Sequence, residues 1–139
     1  MTHTVPVFRR AVRMLHFALV AGLALAGGTF VLLVQVQGRS LGGPPIVGFV
    51  LAGVAVSLLI VASAVARPKV PERASDQSPE AYWDSAEARG AAILLWAVAD
   101  GAGLAGCVGY LLTGGAVPAA AAVLSILALI VFRPSRLEA

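Results

Sequence analysis

Charged side chains and cysteines are both scarce in this sequence. Of its 139 residues only 12% are Asp, Glu, Lys or Arg, whereas 59% are hydrophobic and the mean hydropathy is +0.90. Soluble domains carry about a quarter charged residues, so this composition is typical of a membrane protein. The single cysteine, Cys107, excludes an intramolecular disulfide and every Cys-x-x-Cys motif that binds a metal or attaches haem.

The sequence also lacks the short motifs of common enzyme sites. It contains no phosphate-binding glycine loop, no zinc-helix motif and no nucleophile–base pair. Its formal charge of +3 does not indicate nucleic-acid binding, because the basic residues lie at the ends of apolar segments. We therefore expect no enzymatic activity of its own, no cofactor, no metal site and no nucleic-acid partner.

Four apolar stretches have about the length of a membrane span: residues 11–36, 45–66, 91–113 and 117–132. A bilayer-spanning helix needs about 20 mostly apolar residues. The fourth stretch is short, which predicts little tilt or a locally thinned bilayer. The sequence therefore predicts an all-α polytopic membrane protein in which residues 1–139 form a single transmembrane four-helix bundle.

The basic residues indicate an orientation. Nine of the ten lie before or at the start of the first stretch, in the loop 67–89, or after the fourth stretch, and Arg39 is the exception. Cytoplasmic loops carry such an excess, so both termini and the loop are predicted to be cytoplasmic, in a bacterial inner membrane. The first stretch continues through the apolar residues 30–34, which favours a retained span over a cleaved secretory signal.

The turns predict two helical hairpins. Glycine-rich segments at 38–45 and 114–115 are short, so each should join antiparallel neighbours. Aligning residues 16–33 with 95–112 places seven identical residues in register, which favours a tandem duplication of one hairpin. In the loop, Ser78-Pro79-Glu80 reads as an N-cap, an N1 proline and a first-turn acid. A short helix should begin there and could continue into the third span.

Small residues recur at every fourth position of the first and third spans. Such a stripe lets helix backbones approach closely in lipid. The approach could be between these two helices of one bundle or between protomers of a larger assembly. The stripe consists of Ala18, Gly22 and Ala26 in the first span and Ala97, Gly101, Ala105 and Gly109 in the third.

Asp100 is the only acidic residue within a span. It lies eleven residues beyond Arg89, or about 16 Å along a helix, close to the bilayer midplane. A carboxyl group at this depth is costly and therefore marks an ion path, a buried partner or a subunit contact. Three interpretations remain: a neutral acid bonded to a neighbouring helix, reversible proton or sodium binding, and a charge pair with another subunit.

Three further side chains could serve a site. His16 is the only histidine within a span, and it could be a water-linked relay to Asp100 or a polar residue near the helix end. Tyr82 and Trp83 lie in the polar loop. They are predicted to be aromatic anchors at the membrane interface, or alternatively to form a docking site for a partner.

The segment from Arg89 to Leu112 resembles the second helix of ATP-synthase c-type proteolipids, with a basic residue at its start, an acid eleven residues later and an apolar run after it. The resemblance implies that Asp100 binds the transported proton or sodium ion and that Arg89 lies beside the loop. Two tandem hairpins are also similar to the duplicated V-type proteolipids. Over the whole chain, the sequence resembles small uncharacterised four-helix bacterial membrane proteins in two motifs, His16-Phe17-Ala18-Leu19 and Asp100-Gly101-Ala102-Gly103-Leu104.

Together these observations predict a small non-catalytic subunit or accessory of a membrane complex, with Asp100 at a helix contact or an ion site. The alternative is a proteolipid-like protein that translocates protons or sodium ions through Asp100. The expected partners are the lipid bilayer and either further copies of the chain, in a homo-oligomer, or other membrane subunits.

Overall fold

A computed structural model of the chain describes residues 7–139, and this part of the chain is helical with no β-strand. A π-helical turn at Ala62–Ala66 and a 3-10 turn at Arg67–Lys69 extend the second helix. The α-helices are α1 (Val7–Gln37), α2 (Pro45–Val61), α3 (Pro79–Asp84), α4 (Ala86–Thr113), α5 (Ala116–Val131) and α6 (Pro134–Leu137).

Three segments are long and apolar enough to cross a membrane: Val7–Gln37, Pro45–Lys69 and Ala86–Thr113. The prediction of an all-helical protein is therefore confirmed, and three of its helical segments have the length and composition of membrane spans. The fourth apolar helix, α5, has 16 residues, which is about 24 Å of helix against a hydrocarbon core of about 30 Å. The structure thus shows three candidate spans rather than the four that were predicted.

Helix α4 lies at the centre of the bundle. It packs against α1, α2 and α5, whereas α1 and α2 have almost no direct contact with each other. Ten of its 28 residues are buried, compared with three of 31 in α1. The buried residues of α4 include three glycines and four alanines, and these small side chains let several helices approach it closely.

The loop between α1 and α2 explains this arrangement. The backbone N–H groups of Leu41 and Gly43 donate to the carbonyls of Leu111 and Leu112, at 3.1 and 2.8 Å. The last carbonyls of a helix have no partner within it, so the loop caps α4 as it crosses the end of that helix. The turn at Gly42 needs a positive φ of 83°, which glycine adopts readily.

This loop places α1 and α2 on separate faces of α4. The structure therefore does not show the paired first hairpin that its short turn predicts, although α4 and α5 do pack directly against each other. The proposed hairpin repeat has no counterpart in the packing, because one pair of helices is in contact and the other is separated.

Helices α4 and α5 approach each other closely at Gly106. A Cβ atom there would lie 2.6 Å from the backbone nitrogen of Ala122 and 2.8 Å from the carbonyl oxygen of Pro118. At Gly103 it would collide with the side chain of Leu23 from α1. Glycine at these positions therefore sets the distances between α4 and two of its neighbours.

Candidate functional site

Glu138 is the centre of a charged cluster at one end of the bundle. Its Oε1 accepts hydrogen bonds from Arg9 Nη2 at 3.0 Å and Arg13 Nη2 at 2.7 Å. Its Oε2 accepts one from Trp83 Nε1 at 2.6 Å. The side chain is only 7% exposed, so the carboxylate is held by donors of the protein rather than by water.

The hydrogen-bond donors around Glu138 determine its protonation state. Burial alone would raise the pKa of its carboxyl group, but the hydrogen bonds from Arg9, Trp83 and Arg13 outweigh burial and lower that pKa below its ordinary value. Glu138 is therefore ionised at neutral pH. The hydrogen bonds of the cluster therefore favour its charged form over its protonated form.

Further contacts extend the cluster into what we call the charged end of the bundle: the start of α1, the segment 70–84 and residues 133–139. Arg9 Nη1 donates to Glu80 Oε1 at 2.6 Å. Arg73 Nε donates to the Glu138 carbonyl at 2.6 Å, and its Nη1 donates to the Gln77 carbonyl. Three segments that are distant in sequence are thereby joined.

Tyr82 and Trp83 are core residues of the charged end. Both are buried, with their rings in edge contact at 4.8 Å between centroids. The Tyr82 hydroxyl donates to the Pro71 carbonyl at 2.8 Å, and burial raises its pKa. An aromatic anchor in the membrane interface and a docking residue for a partner both need an exposed ring. Neither prediction agrees with the burial of Tyr82 and Trp83, whose rings belong to the hydrophobic core.

Helix α3 begins as predicted and ends before α4. Ser78 is its N-cap and accepts from the N–H of Ala81 at 3.1 Å, which confirms the predicted helix start. The helix does not continue into α4, because Ser85 is extended and begins α4 as its own N-cap. Arg89 Nη1 donates to the carbonyls of Trp83 and Asp84 at the end of α3, at 2.8 and 2.9 Å.

His16 caps the end of α5. Its Nε2 lies 2.8 Å from the Leu129 carbonyl oxygen, and because a carbonyl only accepts, Nε2 must carry its proton. Trp96 Nε1 donates to the Phe132 carbonyl at 2.7 Å, and the two rings meet edge to face at 5.0 Å. Two side chains from α1 and α4 thus satisfy carbonyls that the helix end leaves without a partner.

This geometry predicts a stability effect for His16. Replacing it with leucine removes the donor to Leu129 and should lower the free energy of unfolding by about 1 kcal/mol. Thermal unfolding in detergent measures the change. Ser63→Leu, an exposed position that bonds only its own helix, is the control and should be close to neutral. Equal stability of His16→Leu and the control would contradict the capping role.

Asp100 lies in the middle of α4, fourteen residues after Ala86 and thirteen before Thr113. Its side chain is half-buried. Within residues 7–139 it makes no hydrogen bond or ion pair, and no hydrogen bond joins it to His16. At 100° per residue it shares one side of the helix with Ile93 and Leu104, which are both exposed. Asp100 therefore lies at the edge of the outer surface of the bundle.

The predicted stripe of small residues lies partly on that outer surface. Ala18, Gly22 and Ala97 are exposed, whereas Ala26, Gly101 and Ala105 are half-buried and Gly109 is buried. A Cβ added at Gly22 would meet no atom within 4 Å, and one at Gly101 would meet only Leu58 Cδ1 at 4.0 Å. The close contact of α1 with α4 is made by other residues, Leu23 and Gly103.

In the described part of the chain, no group of three or more His, Cys, Asp or Glu side chains could hold a metal ion. The charged end and Asp100 are therefore the two features from which a function can be argued. Comparisons with models of known protein families, with curated proteins and with solved structures found no match to this chain.

Proposed function

We propose that this protein is a small non-catalytic subunit of a membrane complex and that Asp100 forms a contact with a neighbouring subunit inside the membrane. The observation that carries the proposal is the state of Asp100. It is half-buried at the middle of a candidate span, with no hydrogen-bond or charge partner in residues 7–139.

The energetic cost of a charged Asp100 inside the membrane favours a partner from another chain. A charged carboxylate at the centre of a membrane helix costs about 2.5–3.5 kcal/mol on insertion scales. No group within the described bundle offsets this cost. A donor or a cation from another chain would do so, since Asp100 lies at the edge of the outer surface.

The surroundings of Asp100 also allow a helix to approach. Ala97 and Gly101 flank it on the same side of α4 and have short or no side chains. The exposed residues Ile93 and Leu104 provide apolar surface above and below it. A second copy of this chain and a different subunit are the two candidate neighbours.

Orientation belongs to the same proposal. In it, α5 is a fourth span and the charged end faces the cytoplasm of a bacterial cell, because nine of the ten basic residues lie outside the α1–α2 turn, where only Arg39 is found. The exposed residues in the central part of each long helix then contact lipid or a neighbouring subunit.

The test is the native mass and composition of the tagged protein, extracted in mild detergent from its own host. Wild type should carry other subunits or form a homo-oligomer. Asp100→Asn should retain the assembly, because the amide oxygen still accepts a hydrogen bond from a donor of the neighbouring subunit, whereas Asp100→Leu should reduce it about tenfold or more, because that donor loses its acceptor. The matched control is Ser57→Leu, an exposed position on α2 whose hydroxyl bonds its own helix.

Two results would contradict this function. One is a wild-type protein that purifies as a monomer without other subunits. The other is an Asp100→Leu variant that assembles as fully as the Ser57→Leu control.

A second candidate is a proteolipid-like protein that translocates protons or sodium ions through Asp100. The same half-buried position of the carboxyl group supports it, since an ion needs access from outside the bundle. Asp100→Asn separates the two candidates. Loss of ion flux in reconstituted vesicles with assembly intact would favour translocation, whereas unchanged flux would favour a structural contact.

A further inference from the structure

We infer that the start of α1 carries a binding site for an anionic phospholipid. A groove of about 580 Å³ runs along this helix at the charged end of the bundle. It combines three guanidinium groups with an apolar floor. Its lining residues are Arg9, Arg10, Arg13, Met14, Phe17 and Ala18.

The three arginines differ in how many hydrogen bonds they already make to acidic residues of the protein. Arg9 donates to both Glu80 and Glu138 and is therefore engaged. Arg13 donates to Glu138 through Nη2 alone and remains 49% exposed. Arg10 is exposed and makes no hydrogen bond or ion pair within the described chain. Arg10 and Arg13 are three residues apart and so are neighbours on the helix surface.

Apolar residues continue the same surface away from the charged end. Met14 lies one turn beyond Arg10, and Phe17, which is 72% exposed, lies one turn beyond Arg13. The order along the helix is therefore basic and then apolar. A phospholipid has the same order along the membrane normal, with its phosphate at the surface and its acyl chains deeper.

The charge balance calls for an anion from outside the chain. The first turn of α1 contains no acidic residue, so its arginines add to the positive end of the helix dipole. Residues 1–6 contain no Asp or Glu. The two acids at hand, Glu80 and Glu138, are already bound by arginines. A soluble phosphate could neutralise the positive charge of the arginines, but it would leave Met14 and Phe17 uncovered. We therefore infer that the occupant is a lipid.

Native mass spectrometry of the purified full-length protein tests this inference. The detergent-solubilised protein is titrated with phosphatidylglycerol or phosphatidylcholine of the same acyl chains, and bound lipids are counted. Wild type should bind phosphatidylglycerol preferentially. Arg10→Gln should weaken that binding about fivefold, as expected for one basic residue at an anionic surface. Arg136→Gln is the control, since this arginine is exposed at the same end but does not line the groove.

The binding results of the two variants either support or contradict the lipid site. Selective loss of phosphatidylglycerol by Arg10→Gln, with Arg136→Gln unchanged, supports the site. Equal binding of the two lipids by wild type overturns it. Equal losses in both variants also overturn it, because the effect is then one of net charge. Arg10→Lys is a second variant with the charge kept and should retain most of the binding.

Discussion

Replacing Gly106 with alanine will lower the stability of the bundle, because the added methyl group would enter the contact between α4 and α5. Its Cβ would lie 2.6 Å from the Ala122 nitrogen and 3.0 Å from the Ala122 Cα. These are backbone atoms, so the two helices must separate. Overpacking of this kind costs about 1–3 kcal/mol, which thermal unfolding in detergent would register as a lower midpoint.

Two glycines provide matched controls. Gly22→Ala meets no atom within 4 Å, and Gly101→Ala meets only Leu58 Cδ1 at 4.0 Å. Alanine has the higher helix propensity by about 1 kcal/mol, so both controls should be neutral or slightly stabilising in the isolated protein. If Gly106→Ala unfolds at the same temperature as Gly101→Ala, the helices are not as close as the structure places them.

Glu138→Ala should have the second large effect. The substitution removes the acceptor of Arg9, Arg13 and Trp83 and leaves the buried indole N–H of Trp83 without a partner. Hydrogen bonds to charged groups contribute about 1.5–3 kcal/mol each. Arg9 and Arg13 are partly exposed and can turn to water, so we expect a net loss of about 2 kcal/mol. Glu72→Ala, an exposed acid in the loop after the 3-10 turn, is the control.

The pH dependence of stability provides a second readout for Glu138. Its pKa is lowered in the folded state, so its contribution is present above the pKa of the unfolded chain and is lost as pH falls through the lower folded pKa. The free energy of unfolding of wild type should therefore decrease towards acid pH more steeply than that of Glu138→Gln. Parallel pH profiles would show that the carboxylate does not stabilise the fold.

Local signals in the sequence predicted the helices well. The apolar stretch 45–66 matches α2 with its π-helical turn, and 91–113 falls within α4, which begins five residues earlier. The N-cap at Ser78 was also predictable, because it depends on residues three positions apart. Hydropathy and capping are properties of neighbouring residues, so a single sequence contains the information for them.

The arrangement of the helices and the charged end were not predictable in the same way. His16 meets the Leu129 carbonyl and Glu138 meets Arg9, contacts that span 113 and 129 residues. No sequence periodicity links such partners. Nothing in the sequence around Glu138 distinguishes it from an exposed acidic residue. The location of Asp100 near the middle of α4 could be predicted from the apolar stretch, but its position at the edge of the outer surface depends on which faces of α4 the other helices cover.

The central position of α4 has a consequence for the order of biosynthesis. A ribosome synthesises α1 and α2 before α4, yet these two helices have almost no contact with each other. A nascent chain that has not reached residue 86 therefore contains two apolar helices without their main partner surface. The packed arrangement of the bundle therefore cannot form until α4 has been synthesised, since α4 contacts both helices and the loop at Leu41 and Gly43 bonds to its end.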